Sequence, residues 1–104
     1  MEGVSVKIPD SVEVFGKKVP VKLEEIDNNF GGFFYPHEWK IIINKNISPD
    51  EYLRVLLHES FHAVFSRTAI DQSVPYEVEQ IIVENMARFI VENFELKPKK
   101  KAKK

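Results

Sequence analysis

The chain has 104 residues, a length that suits one packed domain. Its 43% hydrophobic and 12% aromatic content excludes a disordered chain, and the lack of cysteine excludes disulfides and thiolate metal sites. The net charge is −1, but six of the fifteen basic residues lie in 97–104, so the remaining nine face sixteen acidic residues and the body carries −7. We therefore expect one domain over 1–96 and a disordered lysine-rich tail over 97–104. Nucleic acid has a candidate contact only in the tail, Lys97–Lys104.

The N-terminal residues lack the basic and apolar regions of a signal peptide. No apolar run approaches the ~20 residues that span a bilayer. We expect a cytoplasmic protein without membrane contact, and a chain free of cysteine suits a reducing compartment.

The first half of the chain is predicted to form strands, and residues 4–8 and 19–26 alternate apolar and polar residues with the period of half-buried strands. Strands are predicted at residues 4–8, 12–15, 19–26, 30–35 and 39–44. The Gly31-Gly32 pair predicts a bulge or a close backbone approach. The aromatic residues at 30, 33, 34 and 39 either fill the core or wall a substrate cleft. Three or four antiparallel strands in a meander account for this half.

The second half has helical periodicity. Ser48-Pro49-Asp50-Glu51 is a helix start with a capping residue and a tolerated proline, and the helix that follows should run to about Arg67. A second helix opens at Pro75 and ends near Leu96. Its predicted apolar face contains Val78, Ile82, Met86 and Phe89. Strands followed by helices predict an α+β fold.

The first predicted helix contains His58-Glu59-Ser60-Phe61-His62, an H-E-x-x-H sequence. Residues four apart lie one above the other on a helix, so His58 and His62 can reach one metal ion. Glu59 is offset by roughly 100° and does not ligate, but can act as the general base on a water molecule. The competing interpretation is a pair of buried histidines with satisfied hydrogen bonds.

Two imidazoles hold zinc poorly, so a third protein ligand is expected. The second helix offers Glu77, Glu79, Glu84 and Glu92, and Asp71 lies in the preceding loop. Glu84 lies about 140° from the centre of the predicted apolar face, and Glu77 is only about 20° from Glu84. Tyr76 and Arg88 are candidates to stabilise an oxyanion, although either residue type is more often a surface residue on a helix.

Several segments together resemble the compact zincin domains of the ImmA/IrrE type, in the short stand-alone form found in phages and bacterial mobile elements. These segments are Trp39–Asn44, Ser48–Glu51, Leu56–Ala63 and Val83–Ala87, and the resemblance extends over most of residues 4–96. It implies a small sheet, an active-site helix with two histidines and a glutamate, and a glutamate ligand on the next helix, which it assigns to Glu84. It also implies that a substrate peptide binds as an added strand at the sheet edge.

The sequence thus predicts a zinc-dependent metallopeptidase that acts on a protein or peptide substrate. Zn²⁺ is the expected cofactor, with His58, His62 and Glu84 as ligands and Glu59 as the catalytic base. One alternative is a non-catalytic binding or regulatory module that contains zinc. Another is a DNA-associated accessory protein that acts through its basic tail.

Overall fold

The computed structural model describes residues 8–26 and 30–97. Four strands come first: β1 (Ser11–Val14), β2 (Lys17–Glu24), β3 (Gly32–Tyr35) and β4 (Lys40–Asn44). Two helices follow, α1 (Tyr52–Arg67) and α2 (Tyr76–Asn93), with short 3-10 turns at Pro49–Glu51 and Ile70–Gln72. The predicted α+β fold is confirmed. Of the strand predicted at 4–8, only residue 8 is described.

The sheet is mixed, with the strand order β1-β2-β4-β3. β1 pairs with β2 and β3 pairs with β4 in antiparallel fashion, but β2 and β4 are parallel, with Val21 opposite Ile41. The predicted antiparallel meander is therefore wrong at this central pair. The physical reason is the composition of β4: Ile41, Ile42 and Ile43 are all buried, and such a strand takes a central position with neighbours on both sides.

The core lies between the sheet and α1. It combines apolar residues that point to one face of β1, β2 and β4 with three residues on one side of α1; the buried set is Val14, Val19, Val21, Ile41, Ile43, Val55, Leu56 and Ala63. Ser48 caps the 3-10 turn Pro49–Glu51, and its Oγ accepts a hydrogen bond from the Asp50 backbone N–H at 3.4 Å. Helix α1 follows this turn directly, at Tyr52. It ends at Arg67, as predicted.

Helix α2 packs on α1 through a different face from the one predicted. Its buried residues are Glu79, Val83 and Ala87, whereas the predicted core residues Val78 and Phe89 are 43% and 60% exposed. The small side chains at 83 and 87 permit close helix contact, and the polar residues on the same face pair with α1. The larger apolar residues of α2 are consequently left at the surface.

The predicted domain boundary and tail stay predictions, since residues 98–104 lie outside the described part of the chain. Among the residues that are described, no helix is long and apolar enough to cross a membrane.

Candidate metal centre

The H-E-x-x-H sequence lies in the middle of α1, and its residues lie on two neighbouring faces of that helix. Arg54, His58 and His62 are spaced by four residues and lie on the face that α2 covers, as their contacts with α2 show. Val55 and Glu59, one position later in each turn, are buried on the neighbouring face of the helix. The spacing of the motif therefore separates the histidines from the glutamate in the manner expected of a helix.

A cleft of about 530 Å³ opens above these residues. Strand β3 and the residues just before it form one wall, α1 forms the floor, and α2 forms the other wall. His58, Glu59 and His62 all line the cleft, so the structure brings the three predicted residues together at one accessible site.

Two glycines position the β3 wall close to α1. A Cβ atom added to Gly32 would lie 2.5 Å from the carbonyl oxygen of Ile42 and 2.9 Å from Cγ1 of Val55. A Cβ atom added to Gly31 would lie 2.8 Å from Cγ2 of Val55. The predicted close backbone approach is confirmed, and only residues without a side chain allow β3 to lie this near the motif helix.

The two imidazole rings converge on a single point. Their centroids are 5.0 Å apart, with 59° between the ring planes. Nε2 of His58 lies 3.2 Å from Oε1 of Gln80, and Nε2 of His62 lies 2.6 Å from the same oxygen. Both rings thus direct the same nitrogen toward one location beside α2.

The other nitrogen of each ring faces a carboxylate. Nδ1 of His58 is 2.7 Å from Oε1 of Glu84, and Nδ1 of His62 is 2.5 Å from Oε2 of Glu79, which is buried. A carboxylate accepts a hydrogen bond from Nδ1–H and thereby fixes the tautomer and the orientation of the ring. This arrangement leaves the Nε2 atoms as the nitrogens available to a metal.

Glu59 is only 8% exposed, although it lines the cleft. Burial raises the pKa of this carboxyl group from 4.5 to about 7, because a buried charge loses its hydration. The electrostatic interaction with His58 and a hydrogen bond from the Phe34 backbone act in the opposite direction. A carboxyl group with a pKa near neutrality can both take up and release a proton at physiological pH.

The carboxylate of Glu84 is already engaged by hydrogen bonds from two arginines. Nη1 of Arg54 lies 3.1 and 3.0 Å from its two carboxylate oxygens, and Nε of Arg88 donates to Oε2 at 2.8 Å. Burial works to raise the pKa of Glu84, but hydrogen bonds from Arg88 and His58 and the charge of Arg54 together lower it. Glu84 therefore lies next to the histidine pair, but on the Nδ1 side of His58 and not beside the Nε2 atoms, and its role as a metal ligand stays a prediction. The runner-up Glu77 is exposed and does not line the cleft.

The two candidate oxyanion stabilisers have different positions. Tyr76 lines the cleft, and its ring stacks on His62 with centroids 6.0 Å apart and planes within 12°. Burial, followed by the charges of Glu59 and Glu79, raises the pKa of its hydroxyl group, which stays a proton donor. Arg88 is largely exposed, pairs with Glu84 and does not line the cleft.

Arg54 and Gln80 were not predicted as site residues from the sequence, and Glu79 was offered only as one of several carboxylates for the third ligand. Arg54 precedes His58 by four residues, and Glu79 and Gln80 precede Val83 and Glu84 by four, so helical spacing alone placed them on the correct faces. Their importance depends on how α1 and α2 face each other, which spacing does not determine.

Within residues 8–26 and 30–97, no three His, Asp or Glu side chains are gathered in a way that would hold a metal ion. The donors that do converge are two imidazole nitrogens and one amide oxygen. Imidazole is a common ligand of zinc, and an amide oxygen ligates divalent cations, so this donor set fits a metal.

The chain has no significant match among models of known families, curated proteins or solved structures. A functional assignment consequently depends on the geometry of this site.

Proposed function

We propose that this protein is a zinc-dependent metallopeptidase of the compact zincin type, with His58 and His62 as metal ligands and Glu59 as general base. The observation that carries the proposal is the convergence of the two Nε2 atoms beside a buried carboxyl group with a pKa of about 7. Zinc, when bound, lowers the pKa of water and polarises a carbonyl group. A cytoplasmic location is part of the same proposal.

The chain's own residues support each remaining role in peptide hydrolysis. Glu59 takes a proton from the attacking water and later delivers it to the leaving amine, which a pKa near 7 allows in both directions. The Tyr76 hydroxyl group donates a hydrogen bond to the oxyanion, since it stays protonated and lines the same cleft. Arg88 is assigned no such role because it does not line the cleft and is engaged by Glu84.

An extended peptide is the substrate class that the cleft favours. In the described sheet, β3 pairs with β4 on one side only and lines the cleft. A peptide can pair with the other side of β3 through main-chain hydrogen bonds. Phe30 and Phe33, whose rings are 5.3 Å apart, also line the cleft and offer contacts to apolar side chains of the substrate.

The alternative is a zinc-containing module without catalysis. The two functions predict different results for Glu59→Gln: a metallopeptidase loses peptide hydrolysis, whereas a non-catalytic zinc module keeps its function. The third hypothesis, DNA association through the tail, involves residues 98–104, which are not described.

Zinc content and peptide cleavage test the proposal together. We expect about one zinc per chain in protein purified without chelator, and a strong loss in His58→Ala and His62→Ala. A mixture of synthetic peptides of diverse sequence, analysed by mass spectrometry, should yield new termini with the wild type and not with Glu59→Gln, which should keep its zinc. Zinc content well below half an equivalent after zinc addition would contradict the metal site. Cleavage by Glu59→Gln within a few-fold of wild type would contradict the mechanism.

A further inference from the structure

The amide of Gln80 occupies the point where the two histidines meet. Gln80 lies in α2, and its side chain is partly buried and lines the cleft. Its Oε1 atom is 2.6 Å from Nε2 of His62 and 3.2 Å from Nε2 of His58. The carboxylate oxygens of Glu84 and Glu79 contact the Nδ1 atoms of the two rings instead.

The protons of this cluster can be assigned from its hydrogen-bond partners. An ionised carboxylate only accepts hydrogen bonds, so Glu84 and Glu79 require the proton of each imidazole on Nδ1. A neutral imidazole has one N–H, so each Nε2 carries a lone pair. The amide oxygen of Gln80 also carries lone pairs and no proton. Three lone pairs thus face one another at hydrogen-bonding distance, and a cation satisfies all three.

Glu84 is less suited to be the third ligand. Arg54, Arg88 and His58 already donate hydrogen bonds to its two oxygens. Moving it to the Nε2 side would break these bonds and would leave Nδ1 of His58 without its acceptor.

We propose that Oε1 of Gln80 is the third protein ligand of the metal, and that Glu79 and Glu84 orient the two imidazoles from their Nδ1 sides. The inference rests on the proposed function only in using the same metal site. It changes the ligand set from two histidines and a carboxylate to two histidines and a neutral amide. The bound divalent ion then keeps its full double positive charge, because none of its protein ligands is anionic.

Zinc affinity, measured by competition with a chromophoric chelator on the full chain, tests this ligand set. Gln80→Ala should weaken zinc binding by at least about tenfold, since loss of even an outer partner of a ligand costs 10- to 100-fold. Gln80→Glu retains an oxygen at the same distance from the backbone and adds a negative charge, so it should bind zinc at least as tightly as wild type. Gln72→Ala, at an exposed glutamine outside the cleft, should stay within twofold.

A second readout is the visible absorption of the cobalt(II) form, which reports the ligands around the ion. Gln80→Ala should change the position or intensity of the bands, and Gln72→Ala should not. Thermal melts in the presence of EDTA check that each variant folds. Gln80→Glu keeps the test decisive if Gln80→Ala does not fold.

Some outcomes overturn the inference while the metal site stands. If Gln80→Ala binds zinc within threefold of wild type with an unchanged cobalt spectrum, while His58→Ala and His62→Ala lose zinc, Gln80 is not a ligand. If the amide is turned around, so that its NH₂ group donates to both Nε2 atoms, Gln80→Ala should bind zinc as tightly as wild type or more tightly. If His58→Ala and His62→Ala bind zinc as wild type does, the proposed function itself fails.

Discussion

Replacement of Glu59 by glutamine is expected to stabilise the metal-free fold at neutral and higher pH. Glu59 is 8% exposed, and its pKa is about 7 in the folded chain against 4.5 for the free side chain. Because folding raises the pKa, the unfolded chain loses the proton at lower pH than the folded chain does. The stability linked to this proton is complete below pH 4.5 and is lost as the pH rises from 4.5 through 7.

The magnitude follows from the size of the shift. A change from 4.5 to about 7 corresponds to about 3 kcal/mol at pH 8. Glutamine has nearly the same volume, carries no charge, and its Oε1 atom can accept the hydrogen bond from the Phe34 backbone. Its NH₂ group is an additional buried donor that costs about 1 to 2 kcal/mol if it finds no partner. The net expectation is a gain of about 1 to 3 kcal/mol in the free energy of unfolding at pH 8.

Urea unfolding in EDTA at pH 4.5 and pH 8 measures this difference. The advantage of Glu59→Gln over wild type should be largest at pH 8 and should shrink to below about 0.5 kcal/mol at pH 4.5. Glu13→Gln, at an exposed position of β1, should show no such pH-dependent gain. Equal stability of Glu59→Gln and wild type at both pH values, or lower stability of the variant at pH 8, would refute the reasoning about burial.

Three further changes probe the packing and the tail. Gly32→Ala should destabilise the fold by about 2 kcal/mol, because its Cβ atom would lie 2.5 Å from a carbonyl oxygen; an unchanged urea midpoint would rule out the close approach of β3. Val83→Ala, at a fully buried position, should lower the free energy of unfolding by about 2 kcal/mol. Phe89→Ala, at a position 60% exposed, should lower it by less than about 0.5 kcal/mol. The opposite order would show that α2 packs through its other face. A chain that ends at Leu96 should melt within about 5 °C of the full chain and keep its zinc content, and a larger loss would show that the tail packs.

The sequence predicted the parts of this fold that depend on local periodicity. The capped start at Ser48 and the apolar spacing of α1 located the motif helix, and the apolar and aromatic runs of the first half located the four described strands. Alternation shows which side chains are buried but not which strand lies beside which. The parallel pairing of β2 with β4 was therefore not accessible from the strand patterns.

The candidate site was predictable where its chemistry lies within one helix. His58, Glu59 and His62 come from one helical turn, so their spacing sufficed. The contribution of α2 depends on which face it turns to α1. The large side chains of that helix indicated the wrong face, because Val83 and Ala87 pack more closely than Phe89 could. Gln80 has no charge and belongs to no motif, so its place beside the two Nε2 atoms is visible only in the structure.

The parallel contact between β2 and β4 determines how the molecule can be assembled. β1 with β2 and β3 with β4 are local antiparallel pairs of a kind that forms in microseconds, each from a short stretch of chain. Val21 and Ile41, which face each other where the two pairs meet, are separated by a much longer loop that must close against its entropy. Val21, Ile41 and Val55 belong to one core cluster, so α1 docks over this same junction. The cleft needs more than the sheet, because its two walls, β3 and α2, lie on opposite sides of α1. The site is therefore complete only when β3 and α2 are both packed against the motif helix.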